Sequence, residues 1–131
     1  MPTPTPAQSA AEMAAEVVRL VNEERANAGL APLSTLPELD AAAAVRASEV
    51  AEYFSHDRPD GSSCFTVLGE CGVKGYWTMG ENIAFGQLTP EQVVKAWMNS
   101  EGHRANILSD QFTHIGVGWQ DNAWVQLFIG K

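Results

Sequence analysis

Long hydrophobic runs and basic residues are both scarce in this chain of 131 residues. No apolar stretch approaches the roughly 20 residues that span a bilayer, so we expect no transmembrane segment. Eight Lys and Arg stand against 16 Asp and Glu, and the formal net charge is −8. The basic residues are scattered singly, and such a surface repels phosphate backbones and anionic lipids. We therefore expect no nucleic-acid partner, whereas divalent cations suit this charge.

Several catalytic motifs are also missing. The sequence has no His-Glu-x-x-His zinc-protease motif, no Gly-x-Ser-x-Gly nucleophile elbow and no Walker-type phosphate loop. Ser100 and His103 would touch in a helix, but a polar residue that ends a helix is the commoner explanation for Ser100. These absences favour a binding domain over an enzyme.

Cysteine is limited to Cys64 and Cys71. In one continuous helix these two residues would stand about 10 Å apart, whereas a disulfide requires Cα atoms within about 7 Å. Gly69 and Gly72 favour a helix break that would bring them together. Two alternatives stay open, a disulfide or one buried and one incidental thiol, and thiol titration of the unfolded protein distinguishes them.

One domain accounts for most of the chain, because its length leaves no room for a second. Hydrophobic residues make up 45% of the sequence, with four Trp and five Phe, which is enough for a packed core. Residues 1–6 (MPTPTP) alternate Pro and Thr, a pattern typical of an extended linker and unlike a signal peptide. We expect residues 7–131 to form the domain, Met1 to be an added initiator and the natural protein to be longer.

Apolar spacing and capping residues predict four helices. Their predicted bounds are Thr5 to Gly29, the residues after Pro37 to about His56, residues 63–68, and Thr89 to a break at Gly102. The buried stripe of the first helix contains Val17 and Val21, and that of the second contains Leu39, Val50 and Phe54.

The remaining apolar segments predict strands. Residues 80–86 form one strand, and residues 112–120 and 123–129 form a hairpin with a two-residue turn at Asp121 and Asn122. The last strand is apolar on both faces, so both faces must be covered. The sequence therefore predicts an α+β fold, a three-layer α-β-α sandwich around a small, largely antiparallel sheet.

Three polar residues near the ends of elements are candidates for a site. His56 follows a helix, Glu81 starts a strand, and His103 lies at the predicted break after the fourth helix. Two imidazoles and a carboxylate are the ligand types of an open zinc site. Because the three are distant in sequence, the alternative is that each is a surface residue bonded to nearby backbone. We place the third histidine, His114, in a strand.

Five motifs occur in the order in which they occur in a known family. They are VNEER with GLAPL (21–25, 29–33), FSH with RPDG (54–56, 58–61), GENIA (80–84), WMNS with GHRANIL (97–100, 102–108) and HIGVG (114–118). Through them the chain, from about Leu20 to Lys131, resembles the bacterial branch of the CAP superfamily, the cysteine-rich secretory, antigen 5 and pathogenesis-related 1 proteins. The resemblance implies an α-β-α sandwich and a secreted or cell-surface setting.

The resemblance also implies a cleft, because many family members carry a tetrad of two His and two Glu that can hold a divalent metal. His56, Glu81 and His103 match three positions of this tetrad. The second Glu falls at Ser100, with Glu101 one position beyond. The missing carboxylate implies that Zn²⁺ or another divalent cation is held weakly, if at all.

We expect a monomeric extracellular binding module whose polar cleft takes an unidentified ligand or protein partner. One alternative is a hydrolase of peptide or cell-wall material that uses Glu81 with a metal-bound water or Ser100. The other, suggested by the Pro/Thr linker, is a structural or adhesion module of a cell-surface protein.

Overall fold

The computed structural model describes residues 9–131, and this part of the chain forms five helices and three strands. Their bounds in chain order are α1 (Ala10–Asn27), α2 (Pro37–Glu52), α3 (Thr66–Glu70), β1 (Thr78–Phe85), α4 (Pro90–Met98), α5 (Glu101–Ile107), β2 (His114–Gln120) and β3 (Ala123–Gly130). None of the helices in residues 9–131 has the length and apolar character needed to cross a bilayer.

The three strands form one antiparallel sheet in the order β1-β3-β2. Strands β2 and β3 are joined by Asp121 and Asn122, whose φ angles are 50° and 62°. Positive φ at both residues gives a turn whose twist matches that of the strands, which confirms the predicted hairpin. Ser34 lies beside the outer edge of β2 and pairs in parallel with His114. His114 is therefore a strand residue, as predicted.

Helices cover both faces of the sheet, and every residue of β3 is buried. On one face α1, α4 and α5 pack against the strands, and Val21 and Trp97 share a core there with Trp124. On the other face α2 and α3 pack against the strands, and Leu39 shares a second core with Val125. The α+β class and the three-layer α-β-α sandwich are confirmed.

Two glycines of β2 allow α2 to approach the sheet closely. A Cβ atom at Gly116 would lie 2.5 Å from the carbonyl oxygen of Leu39, and one at Gly118 would overlap the carbonyl oxygen of Ala43. Even a methyl group would therefore collide with the backbone of the helix. This contact fixes α2, and with it the loop after α2 that carries His56.

The first helix ends where it was predicted to end, and within the described residues it begins at Ala10. Gly29, with a φ of 77°, follows the helix and accepts the left-handed conformation that the sequence indicated. At the other end Ser9 caps α1, and its Oγ accepts a hydrogen bond from the N–H of Glu12 at 3.1 Å. The predicted start at Thr5 and the linker at residues 1–6 lie outside the described residues.

Three other boundaries correct the predictions. Phe54, expected on the buried stripe of α2, is 57% exposed, because the backbone is already extended at Tyr53. The break after α4 falls at Ser100 rather than Gly102, since Ser100 is the extended N-cap of α5 and Gly102 lies inside that helix. The short helix expected at residues 63–68 begins three residues later, as α3.

Both cysteines are free thiols in the structure. Cys64 is buried before α3, and Cys71 is partly buried at the end of that helix. Burial, together with the nearby charge of Glu81, raises the pKa of Cys64 to about 12, so this thiol is protonated and unreactive at neutral pH. A disulfide between the two cysteines stays a prediction that thiol titration tests.

Candidate functional site

A buried carboxylate lies at the centre of the polar side chains beside β1. The side chain of Glu81 is only 1% exposed. Its Oε2 accepts a hydrogen bond from Nε of Arg46 at 2.8 Å, and its Oε1 accepts one from Nη2 of Arg46 at 3.2 Å. Oε1 also accepts a hydrogen bond from Nδ1 of His56 at 2.8 Å. Burying a carboxylate is costly unless partners replace water, and here a guanidinium and an imidazole do so.

Arg46 is a fully buried member of this cluster that the sequence analysis missed. Besides Glu81, it donates to Oε1 of Glu49 at 2.9 Å and to the carbonyl oxygen of Ser55 at 2.7 Å. The sequence does carry a signal for it, because Arg46 lies on the same buried stripe of α2 as Val50. A charge on an apolar stripe needs a partner from elsewhere in the chain.

The loop that carries His56 is held in place by Arg58. Nη2 of Arg58 donates to Oε2 of Glu49 at 2.8 Å, and Nη1 donates to Oε2 of Glu70 at 2.6 Å. The backbone of His56 is also fixed, since its carbonyl oxygen accepts from the N–H of Cys64 at 3.2 Å. His56 therefore has a defined position although its side chain is 58% exposed.

His103 reaches the neighbourhood of Glu81 from α5, which lies against the outer edge of β1. Nδ2 of the buried Asn82 donates to the carbonyl oxygen of His103 at 3.0 Å and to Oε1 of Gln126 at 2.9 Å. Nδ2 of Asn106 donates to Oδ1 of Asn82 at 2.9 Å. Because Asn82 follows Glu81 in β1, these amides attach α5 to the strand beside the buried carboxylate.

The imidazole of His103 is held by a neighbouring hydroxyl. Nδ1 of His103 and Oγ of Ser100 lie 2.9 Å apart. Partial burial lowers the pKa of His103, and the charge of a protonated His56 lowers it further. The two imidazoles therefore share one electrostatic environment, and His103 is mainly neutral at pH 7.

The structure brings some of the predicted site residues together and leaves others apart. His56 and Glu81 are in direct contact. His103 is close enough to His56 for the charge of a protonated His56 to lower the pKa of His103. Glu101 is exposed in the first turn of α5, and its carboxylate has no hydrogen bond or ion pair with another residue in 9–131. His114 lies at the far edge of the sheet, beside Ser34.

No group of three or more His, Cys, Asp or Glu in residues 9–131 is arranged to hold a metal ion. The geometry of Glu81 gives the reason, because Arg46 and His56 occupy both of its oxygens. Each histidine uses Nδ1 in a hydrogen bond, and Nε2 of His56 and of His103 has no hydrogen-bond partner in residues 9–131. The residues therefore leave two imidazole nitrogens for a ligand, one on each side chain.

Sequence comparison matches nearly the whole chain to one family. The profile described as "CAP: Cysteine-rich secretory protein family" matches residues 18–128. The uncharacterized protein YkwD of Bacillus subtilis (strain 168) is 49% identical over 120 residues, which are 88% of this chain and 46% of YkwD.

Solved structures are similar as well. An extracellular protein containing an SCP domain from Bacillus anthracis str. Ames is 32% identical with a TM-score of 0.91, over 100% of this chain and 45% of that one. An outer surface protein from Borrelia burgdorferi has a TM-score of 0.77 over 88% of this chain and 90% of that one; at 22% identity it supports the fold alone. The chain thus spans less than half of YkwD and of the Bacillus anthracis protein.

Proposed function

The chain belongs to the cysteine-rich secretory protein (CAP) family, and on that premise we propose that it is an extracellular binding module with a divalent-cation site. Nε2 of His56 and Nε2 of His103 hold the cation, and water completes its coordination. Glu81 and Ser100 each orient one imidazole. The observation that carries the proposal is this pairing, in which each ring has Nδ1 bonded and Nε2 left for a ligand.

The chemistry of the pair supports cation binding. A metal-binding histidine usually donates its other ring N–H to an oxygen, which fixes the ring and raises its basicity. Glu81 supplies that oxygen for His56, and Ser100 supplies it for His103. The lowered pKa of His103 keeps it in the neutral form that metals bind. Two protein ligands hold Zn²⁺ less tightly than the three or four of most zinc sites.

Calorimetric titration of the full chain with ZnCl₂ at pH 7 tests the site. We expect one Zn²⁺ to bind the wild type and no binding to the His56→Ala/His103→Ala double variant. His114→Ala removes the third histidine, which lies at the other edge of the sheet, and we expect it to bind like the wild type. A wild type that does not bind Zn²⁺, or a double variant that binds it equally well, contradicts the proposal.

The orienting role of Glu81 has its own test. We expect Glu81→Gln to weaken Zn²⁺ binding about 10- to 100-fold, the usual effect of losing a carboxylate that supports a histidine ligand. Circular dichroism must first show that the variant is folded, because the change also removes the partner of Arg46. Glu101→Gln removes a nearby exposed carboxylate and serves as the control. Equal affinities for Glu81→Gln and the wild type would exclude this role.

The extracellular setting rests on a relative, since the Bacillus anthracis protein is described as extracellular. An antibody to this domain, used on fractions of cells that make the full-length protein, tests the setting. We expect the domain in the culture medium or at the cell surface. Recovery from the cytoplasm alone contradicts that expectation.

One observation favours a second function, a hydrolase of peptide or cell-wall material. Oγ of Ser100 lies 2.9 Å from Nδ1 of the mainly neutral His103, which is the arrangement of a nucleophile and its base. The imidazole would take the hydroxyl proton while Oγ adds to the carbonyl carbon, and would then give that proton to the amine or alcohol that leaves as the C–N or C–O bond breaks. Glu81 would not be the base, because Arg46 and His56 occupy it. A fluorophosphonate probe that labels the wild type but not Ser100→Ala supports a hydrolase, and a folded wild type that stays unlabelled contradicts it.

A further inference from the structure

The outer edge of β2 lacks hydrogen-bond partners along half of its length in residues 9–131. Because a two-residue turn joins β2 to β3, alternate residues of β2 bond to β3, and the peptide groups of Ile115, Val117 and Trp119 point away from it. Ser34 pairs with the outward peptide group of Ile115, since the carbonyl oxygen of Ser34 accepts a hydrogen bond from the N–H of Ile115 at 2.9 Å. In residues 9–131 nothing pairs with the outward peptide groups of Val117 and Trp119.

Side chains from two helices contact part of the opposite edge of the sheet. The carbonyl oxygen of Ile83 in β1 accepts from Nε1 of Trp97 at 3.2 Å, and that of Glu81 lies 3.5 Å from Nδ2 of Asn106. An open strand edge is a template for another strand, and proteins usually cover such an edge. Within residues 9–131 this chain therefore covers part of β1 with side chains from α4 and α5 and leaves the second half of β2 uncovered.

A groove of about 510 Å³ runs over the open edge, between α1 and α2. Its walls are built from small side chains, Ala14 and Ala15 of α1 and Ala41 and Ala44 of α2. Gly118 contributes to its floor. Alanine walls leave room for an extended backbone beside β2 and would contact small side chains on that backbone.

Two polar groups in the groove lack partners within residues 9–131. Nε1 of Trp119 is buried without an acceptor, which is costly for an indole N–H. Asp40 lines the groove, and its carboxylate has no hydrogen bond or ion pair with a described residue. The lining contains no Lys or Arg. Of the two, the carboxylate of the exposed Asp40 is the one that an occupant can contact, and a positive charge on the occupant complements it.

We propose that the groove binds an extended peptide segment of another protein, which adds a fourth strand beside β2 and carries a Lys or Arg that pairs with Asp40. Its peptide groups bond to those of Val117 and Trp119. Strand addition of this kind takes affinity from main-chain hydrogen bonds and specificity from a few side-chain contacts. The inference goes beyond the proposed cation site, which lies near the opposite edge of the sheet.

Amide hydrogen exchange of the ¹⁵N-labelled full chain, measured by NMR, tests the added strand. The probe is the peptide acetyl-AVTKTVA-amide, with a second peptide that has Glu in place of Lys and a third that is N-methylated at alternate residues. We expect the Lys peptide to slow exchange at Val117 and Trp119 about tenfold or more, since each gains a hydrogen bond. Gly116 and Gly118 already bond to β3 and serve as the internal control.

Substitutions test the charge contact. We expect Asp40→Asn to weaken binding of the Lys peptide about fivefold, the size of an ordinary surface ion pair. Glu52→Gln removes the same charge from the far end of α2 and should leave binding unchanged. We expect neither the Glu peptide nor the N-methylated peptide to bind.

Three results overturn the proposal. The first is that no exchange rate in β2 changes with the Lys peptide. The second is that the N-methylated peptide binds as well as the unmethylated Lys peptide, or that the Asp40→Asn variant binds the Lys peptide as well as the wild type does. The third is that Val117 and Trp119 are already as protected as Gly116 and Gly118 in the free full chain, which would assign the groove to this chain's own segment at residues 1–8.

Discussion

Arg46 and Glu81 form the buried ion pair on which the geometry of the candidate site depends. Neither side chain contacts water appreciably, and the desolvation cost of such a pair is offset only when every remaining polar atom is bonded. The additional contacts of Arg46 with Glu49 and Ser55 meet that condition. His56, in contrast, lies on an exposed loop, so its orientation comes from Glu81 and therefore indirectly from Arg46.

Replacing Arg46 should be far more damaging than replacing an exposed arginine. We expect Arg46→Met to lower the free energy of unfolding by about 3–5 kcal/mol, because it leaves the Glu81 carboxylate buried without its main partner. Arg19 pairs with Glu16 on the exposed face of α1, where solvent screens the charges, and we expect Arg19→Met to leave the free energy of unfolding nearly unchanged. Urea denaturation at pH 7 measures both variants. If both variants lose a similar amount of unfolding free energy, Arg46 is not the main partner of the buried Glu81 carboxylate.

His103 should make stability depend on pH. Its pKa in the folded protein lies below the ordinary value of 6.5, so the unfolded chain takes up the proton first as the pH falls. The folded state consequently loses stability as the pH drops from about 6.5 to below the folded pKa. We expect the wild type to lose more stability between pH 7 and pH 5 than His103→Gln, which keeps a polar side chain beside Ser100. Equal losses in urea denaturation would show that burial does not disfavour the charged imidazole.

At the scale of elements, boundaries set by local chemistry could be predicted from the sequence. Thr89 caps α4 as its motif indicated, with its Oγ1 accepting from the N–H of Gln92 at 3.1 Å. The end of α2 could not be predicted, because Tyr53 and Phe54 continue the apolar pattern. The chain leaves the helix there, and Arg46 bonds to the carbonyl oxygen of Ser55.

The site too could be predicted only in part, because its geometry depends on contacts between residues that are distant in sequence. Residue type and motif order pointed to His56, Glu81 and His103, but local patterns do not encode the register that brings α2 against β1. Arg46 and Glu81 are 35 positions apart, and only tertiary packing makes them partners. An arginine on an apolar stripe signals that a partner exists without identifying it.

The close packing of α2 on β2 gives a test at the same scale. We expect Gly118→Ala to destabilise the protein by about 1–3 kcal/mol, because the added methyl group would overlap the carbonyl oxygen of Ala43. Gly102 lies inside α5 with open space around its Cβ position, so Gly102→Ala should be neutral or stabilising by up to about 1 kcal/mol. Thermal unfolding of the two variants checks the contrast. A Gly118→Ala variant as stable as the wild type contradicts this packing.

At the scale of the whole molecule, the two edges of one small sheet carry the two candidate binding surfaces. Side chains of α4 and α5 contact the β1 edge, near which His103 lies, and the β2 edge has unpaired peptide groups in residues 9–131 and adjoins the groove between α1 and α2. The chain spans 46% of YkwD and 45% of the Bacillus anthracis protein. In a longer protein, an open strand edge would also suit the structural or adhesion role that the sequence left as an alternative.

The cation site is the central claim, and a crystal of the full chain soaked in ZnCl₂ tests it most directly through anomalous scattering at the zinc edge. We predict one anomalous peak at about 2.0–2.1 Å from Nε2 of both His56 and His103, with Glu81 still bonded to Arg46. The account is contradicted if the peak lies on other residues, if it includes only one of the two imidazoles, or if no peak appears at saturating Zn²⁺.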